Sequence, residues 1–187
     1  MKRTRDKRTN GSWRPGTKGA PLACCVGPIR EWVPELGLGR ASRPGFESGQ
    51  VDLAPAVDNW VKAVRSKGVR SVICLLSREE LEWYCGVPGG LLGRYQHLGL
   101  EVISIPVPLD RHPVLGETEL PRITKAFEDL PKPVVVHCSA GVVRSGAAVR
   151  HLQTLLSRSE PPCQGVRASV RDSEHNPGGR EQGPNFD

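Results

Sequence analysis

Long apolar runs are missing from this chain. No stretch of its 187 residues approaches the ~20 consecutive apolar positions that a membrane-spanning helix requires. The N-terminus is basic, but no apolar segment follows it, so no secretory signal is expected. Metal-site spacing is missing too. The six cysteines (Cys24, Cys25, Cys74, Cys85, Cys138 and Cys163) contain no Cys-x-x-Cys pair. Adjacent Cys24 and Cys25 suit neither a disulfide framework nor a tetrahedral site. A reduced, intracellular protein is expected, placed in the cytoplasm. There are no internal repeats, which excludes solenoids and propellers.

A basic surplus is absent from most of the chain, although the net charge is +6. Residues 1–20 hold seven of the 26 Lys and Arg (Lys2, Arg3, Arg5, Lys7, Arg8, Arg14, Lys18) against a single acid, Asp6. The remainder then carries 19 bases and 19 acids, a net charge of zero. Nothing there would grip a nucleic-acid backbone. The basic end reads as a solvated tail, with a nuclear address or an anionic partner as alternatives. A monomer with no nucleic-acid and no membrane partner is expected.

Composition divides the chain into three. Residues 1–28 are rich in Gly, Pro and charge, without periodicity, and read as a disordered tail. Residues 158–187 include Pro161-Pro162, Pro177-Gly178-Gly179 and Gly183-Pro184 and read the same way. Residues 29–157 form the domain.

Inside that domain strand and helix patterns alternate. Val57, Trp60, Val61 and Val64 share one helical face, and Gly68 stops that helix. Val69–Leu76 reads as a buried strand. Ser77 with Glu80 three positions later is a capping-box signature for a short helix through Tyr84. Gly99–Val107 reads as a second strand. Thr118 can cap a helix carrying Leu120, Ile123, Phe127 and Leu130, ended by Pro131 and Pro133. Val134–Cys138 is a continuous apolar strand, as in a central parallel position covered on both faces. Ala148, Leu152, Leu155 and Leu156 again have helical spacing. The predicted fold is α/β, with a central, mostly parallel sheet flanked by helices.

Chemistry concentrates after the last strand. In open α/β sheets, ligands bind beyond the carboxyl ends of central strands, where Cys138 sits. The loop Ser139–Val143 feeds a helix expected to begin near Arg144. Its amides (Ser139, Ala140, Gly141, Val142, Val143, Arg144) can converge on one tetrahedral oxyanion. Gly141 supplies the unusual dihedrals of a tight turn. Arg144 can add a bidentate fork to the anion. Cysteines near helix N-termini and cations ionise more readily, so the cradle that binds phosphate also activates the nucleophile. Ser145 can donate its hydroxyl to the sulfur, and His137 orders the loop. The leaving group needs an acid from another loop. Asp110, in the Pro-rich segment after the Gly99–Val107 strand, is the candidate, with Asp129 as rival. No metal or other cofactor is needed.

The segment "HCSAGVVRS" resembles the His-Cys-x-x-Gly-x-x-Arg-Ser/Thr signature of the cysteine-dependent protein phosphatases, and its interior is most similar to the dual-specificity branch. The resemblance covers roughly Glu35–Ser157. It implies an α/β fold, a phosphocysteine intermediate, and removal of phosphate from Tyr and also from Ser or Thr. A narrower likeness runs through Arg78, Glu80, Leu81, Tyr84, Val87, Pro88, Leu91, Leu92 and Tyr95. These resemble the kinase-associated phosphatase group, which acts on cyclin-dependent kinases. The implied partner is a phosphorylated protein, with a protein kinase among the candidates. The family also implies that an oxidised Cys138 could be protected by pairing with Cys74 or Cys85. Two departures stand out. Val143 replaces a common Ser, and residues 158–187 do not resemble the further helices of family members, so apolar surface is expected to lie uncovered.

Three other functions fit a Cys loop of this kind. The substrate could be an RNA 5′-triphosphate or a phosphoinositide, but the loop interior carries no Lys or Arg. The domain could bind phosphopeptides without turnover. Rhodanese-type sulfur transfer would leave Asp110 without purpose.

Overall fold

The computed structural model describes residues 28–46, 52–110 and 112–159. The two expected tails fall outside these residues, except Pro28 and the last turn of the final helix. The elements, in chain order, are β1 (Ile29–Val33), β2 (Leu38–Ala41), α1 (Leu53–Arg65), β3 (Ser71–Cys74), α2 (Arg78–Glu82), α3 (Gly90–His97), β4 (Glu101–Ser104), α4 (Glu119–Asp129), β5 (Val134–His137) and α5 (Val143–Ser159). A 3-10 turn, Pro34–Leu36, joins β1 to β2. The strands form one sheet in the order β1-β2-β5-β3-β4, and only the β1–β2 pair is antiparallel. The α/β expectation therefore holds, with β5 at the centre.

Local sequence explains the elements that were legible. Asp52 accepts the Ala54 N–H at the start of α1, and Val57, Trp60, Val61 and Val64 are its buried face. Gly68, at φ +82°, turns the chain after α1, and its N–H returns to the Arg65 carbonyl. The capping box at α2 is complete. Glu80 N–H donates to Ser77 Oγ, and Ser77 N–H donates to Glu80 Oε2. At α4 the expectation was half right. Thr118 holds the N-cap position without a side-chain hydrogen bond, and the Glu119 carboxylate instead takes the Gly116 N–H. The strands are shorter than expected, spanning Ser71–Cys74 and Glu101–Ser104, although single backbone bonds to neighbouring strands continue at Arg70, Leu75 and Ile105.

Two cores sandwich the sheet. On one face Val57, Trp60, Val64, Tyr84 and Tyr95 pack on Val72, Cys74 and Val135. On the other, Ile123, Phe127, Val149 and Leu152 pack on Ile73, Leu75, Val134 and Val136. All four β5 residues are buried, so the strand that carries the loop has no freedom to shift. Among the described residues, the exposed large apolar side chains are Phe46, Trp83, Leu109, Val142 and Val143. Apart from Val143 at the first position of α5, none of these lies on α4 or α5. Among the described residues no helix is long and apolar enough to cross a membrane.

Candidate active site

The chain leaves β5 at His137, turns through Ser139–Val142 and enters α5. Gly141 stands at φ +74°, and a Cβ there would lie 2.5 Å from the Ala41 carbonyl carbon. Both the dihedral and the space therefore demand glycine.

The loop's carbonyls are tied down from outside. His137 Nδ1 lies 3.4 Å from the Cys138 carbonyl oxygen, and the Arg43 N–H donates to the Ser139 oxygen at 2.9 Å. Arg40 Nη1 donates to the oxygens of Gly141, at 3.3 Å, and Val142, at 3.2 Å. In a trans peptide the following N–H points opposite to the carbonyl. The N–H groups of Ser139, Ala140, Val142 and Val143 are thereby turned away from these supports. Among the described residues, no N–H from Ser139 through Ser145 has a hydrogen-bond acceptor. Protein interiors rarely leave such groups unpaired. A run of seven such donors at a helix N-terminus is an arrangement that can hold an anion, a candidate cradle.

Cys138 lies at its base, 2% exposed, with its sulfur 3.3 Å from Ser145 Oγ. Arg144 is buried beside it. Its Nη1 donates to Glu80 Oε2 at 2.5 Å and to the carbonyls of Leu75 and Val107, both at 3.0 Å, while Nη2 donates to Glu80 Oε1 at 2.7 Å. These bonds consume both Nη1 protons and one Nη2 proton. Among the described residues the Nε–H and the second Nη2–H have no acceptor, and they lie side by side on one guanidinium edge, as a fork for two oxygens. Burial alone would raise the Glu80 carboxyl, but Arg144 and the Ser77 N–H outweigh it and hold it below the usual carboxylate value.

His137 is wholly buried against the stacked pair Trp60 and Tyr95, whose rings lie 5.5 and 5.8 Å from it. A carbonyl only accepts, so Nδ1 carries the proton shared with Cys138, and Nε2 accepts from Tyr95 Oη at 3.3 Å. Burial pushes its pKa down to about 4, so the ring is neutral and orients the loop.

Asp110 is exposed, three residues beyond the Val107 carbonyl that binds Arg144. That keeps it within roughly 10 Å of that carbonyl by chain length alone. Asp129 ends α4, five residues before β5 begins, at the opposite end of the sheet from Cys138, and pairs with Lys125 at 2.9 Å.

The thiol pairing meets an obstacle. Cys74, Cys85 and Cys138 are all free, and burial pushes Cys74 up to about 12. Cys74 belongs to the core under α1 and α3, whereas Cys138 belongs to the core under α4 and α5. The two side chains leave opposite faces of the sheet, so a bridge between them requires backbone movement.

Three residues of the site had no visible role in the sequence. Glu80 showed only its capping function. Arg40 and Arg43 come from a hairpin whose position beside β5 no local pattern reveals. Among the described residues, no group of three or more His, Cys, Asp or Glu is arranged to hold a metal ion.

No protein-family model and no curated protein matches the chain. Among solved structures, it is similar to a kinase associated phosphatase whose catalytic-site cysteine was substituted by serine. The TM-score is 0.52 at 23% identity, covering 67% of this chain and 68% of that one. Weaker likenesses exist to Tk-PTP in its active form (TM-score 0.46, 19% identity, 66% and 71% covered) and to a DUF442 protein from Shewanella putrefaciens CN-32 (0.48, 16%, 73% and 77%). At these identities the likeness is one of fold alone.

Proposed function

We propose that this chain is a metal-independent phosphoric monoester hydrolase that removes phosphate from phosphorylated protein, on Tyr and also on Ser or Thr. The observation that supports the reading is the run of N–H groups after Cys138 that have no acceptor among the described residues, followed by the buried Arg144 guanidinium held by Glu80. The equatorial oxygens of a phosphoryl group match those donors, which act where the transition state carries its charge.

The Cys138 thiolate attacks phosphorus in line, the sulfur–phosphorus bond forms, and the bond to the leaving oxygen breaks. Asp110 gives that oxygen its proton. Water then attacks the phosphocysteine, Asp110 takes a proton from it, and inorganic phosphate leaves while the thiolate is restored. Ser145, at 3.3 Å, donates to the departing sulfur.

The test is hydrolysis of an aryl phosphate in the presence of chelator. Activity is expected, inhibited by vanadate, with Cys138→Ser at least about 10⁴-fold slower at unchanged melting temperature. Full activity in Cys138→Ser would end the proposal. A single-turnover experiment separates an enzyme from a phosphopeptide binder, which would retain the peptide and release no phosphate.

A further inference from the structure

Among the described residues, the five exposed large apolar side chains lie on the loop after Cys138 or on segments that reach it. Trp83 and Phe46 flank Arg43, whose guanidinium carbon lies 4.9 Å from the Trp83 ring centroid and 5.7 Å from that of Phe46. Arg43 itself reaches the cradle, with Nε 3.3 Å from Ser139 Oγ and Nη1 3.3 Å from Tyr84 Oη. This half of the rim stands on the α1/α3 side, where Tyr84 is buried. Val142 and Val143 stand at the head of α5, and Leu109 follows two residues after the Val107 carbonyl that holds Arg144. This other half stands on the α4/α5 side, where Val107 and Cys138 are buried. Water-exposed apolar side chains cost free energy unless something covers them, and clustered ones mark binding surfaces.

Charge indicates what covers them. The described mouth residues, 42–46, 77–83 and 105–110 together with the loop through Arg144, contain three arginines against four carboxylates. A dense polyanion would find one strong anion cradle and no surplus of positive charge around it. An extended peptide carries a single phosphoryl group, neutral flanks and apolar side chains on both sides. Among the described residues Arg43 has no carboxylate partner, and its Nη2 donors remain open for a peptide carbonyl.

We propose that the rim formed by Phe46, Trp83, Leu109, Val142 and Val143 selects phosphopeptides whose residues on either side of the phosphorylated one are large and apolar. The proposal rests on the phosphatase reading for its anion site, and binding can be measured apart from turnover.

The experiment uses the full chain carrying Cys138→Ser and fluorescence anisotropy with labelled phosphotyrosine peptides flanked by Leu and Phe, by Asp, or by Lys. The apolar-flanked peptide is expected to bind at least about tenfold tighter, the worth of one partly covered apolar side chain. Adding Trp83→Ala or Leu109→Ala should shrink that preference to about threefold or less. Both residues are exposed, at 49% and 65%, so neither substitution removes core. Equal affinity for the three peptides, equal affinity for the unphosphorylated apolar peptide, or tighter binding of a 5′-triphosphate RNA would overturn the proposal. If selective binding holds but the unsubstituted chain never releases phosphate, the hydrolase reading fails and the peptide preference stands.

Discussion

The two ends of the sheet obey different rules. At the amino ends of the strands the backbone closes its own bonds. Arg70 N–H donates to the Pro133 carbonyl, Glu101 N–H to that of Arg70, and Val134 N–H to that of Gly37. Ser71 Oγ donates to the Pro131 carbonyl at 2.6 Å. The depression there, about 550 Å³, is lined by Gly99, Glu101 and Asp129 among others, so its charged groups would repel phosphate. At the carboxyl ends, seven consecutive N–H groups have no acceptor among the described residues, a guanidinium is buried, and large apolar side chains face water. Each of those features costs free energy in an empty protein. The fold tolerates them at one end only, because rigid scaffolding holds them from behind. That concentration of cost identifies the site more securely than the depth of any pocket.

The largest effect that could break this contrast comes from the acids. Asp110→Ala should lower kcat on an aryl phosphate by roughly 10²–10⁴-fold, the usual worth of general acid catalysis. Asp129→Ala, at the quiet end, should change it less than about threefold. Equal losses in the two variants, measured by steady-state kinetics, would mean that the ends are not functionally distinct.

Next in size is the pair behind the cradle. Glu80→Gln leaves the Arg144 charge buried without its counter-ion, which costs about 3–5 kcal/mol in such pairs. The free edge of Arg144 should also lose its aim, and misplacement on this scale costs about 10²-fold in rate. Urea unfolding and kinetics on the same preparation check both. A variant of unchanged stability and rate would show that Arg144 positions itself.

The third contrast is one of protonation. In the unfolded chain His137 titrates near 6.5, but in the folded protein it resists protonation down to about 4. Its contribution to stability is therefore complete above pH 6.5 and is lost as pH falls toward 4, amounting to roughly 3 kcal/mol. Glu80 is held below its ordinary value of 4.5, so its contribution is complete above 4.5 and begins to fall only at the acid end of that window. Stability measured from pH 7 to 4 should fall more steeply in the unsubstituted chain than in His137→Gln. Parallel curves would show that His137 takes up its proton as readily in the folded chain as in the unfolded one, which would remove the buried neutral prop.

Much of this architecture is legible in the residues themselves. Helical spacing exposes α1, α4 and α5, and the apolar run exposes β5, because burial on both faces leaves no other reading. Cys138, Gly141, Arg144 and Ser145 announce themselves by spacing alone. The hairpin β1–β2 does not. Its strands have five and four residues, Pro34 and two glycines interrupt them, and no alternation survives. Its role depends on β2 lying beside β5, a contact across about a hundred residues that no local rule contains. α3 is equally silent, since it opens on two glycines at positive φ. Glu80 was read as a cap, and it is one. The second use of its carboxylate depends on where α5 returns.

That hidden hairpin supplies the finest test. Arg40 binds Glu31 through Nε at 2.6 Å and the Gly141 and Val142 carbonyls through Nη1, so one guanidinium joins the sheet edge to the back of the loop. It touches no reacting atom and acts only by keeping two peptide planes turned. Arg40→Met keeps the aliphatic stem and removes the donors. The loop can then sample planes with carbonyls pointing inward, where they repel phosphate oxygens. A loss of about tenfold in kcat, or 1.4 kcal/mol of transition-state binding, is expected, matched by weaker vanadate inhibition. Arg40→Lys, with one remaining donor, should recover part of both. A merely structural arginine would lower the melting temperature and leave vanadate affinity untouched. That outcome would return the orientation of the amides to the loop's own sequence.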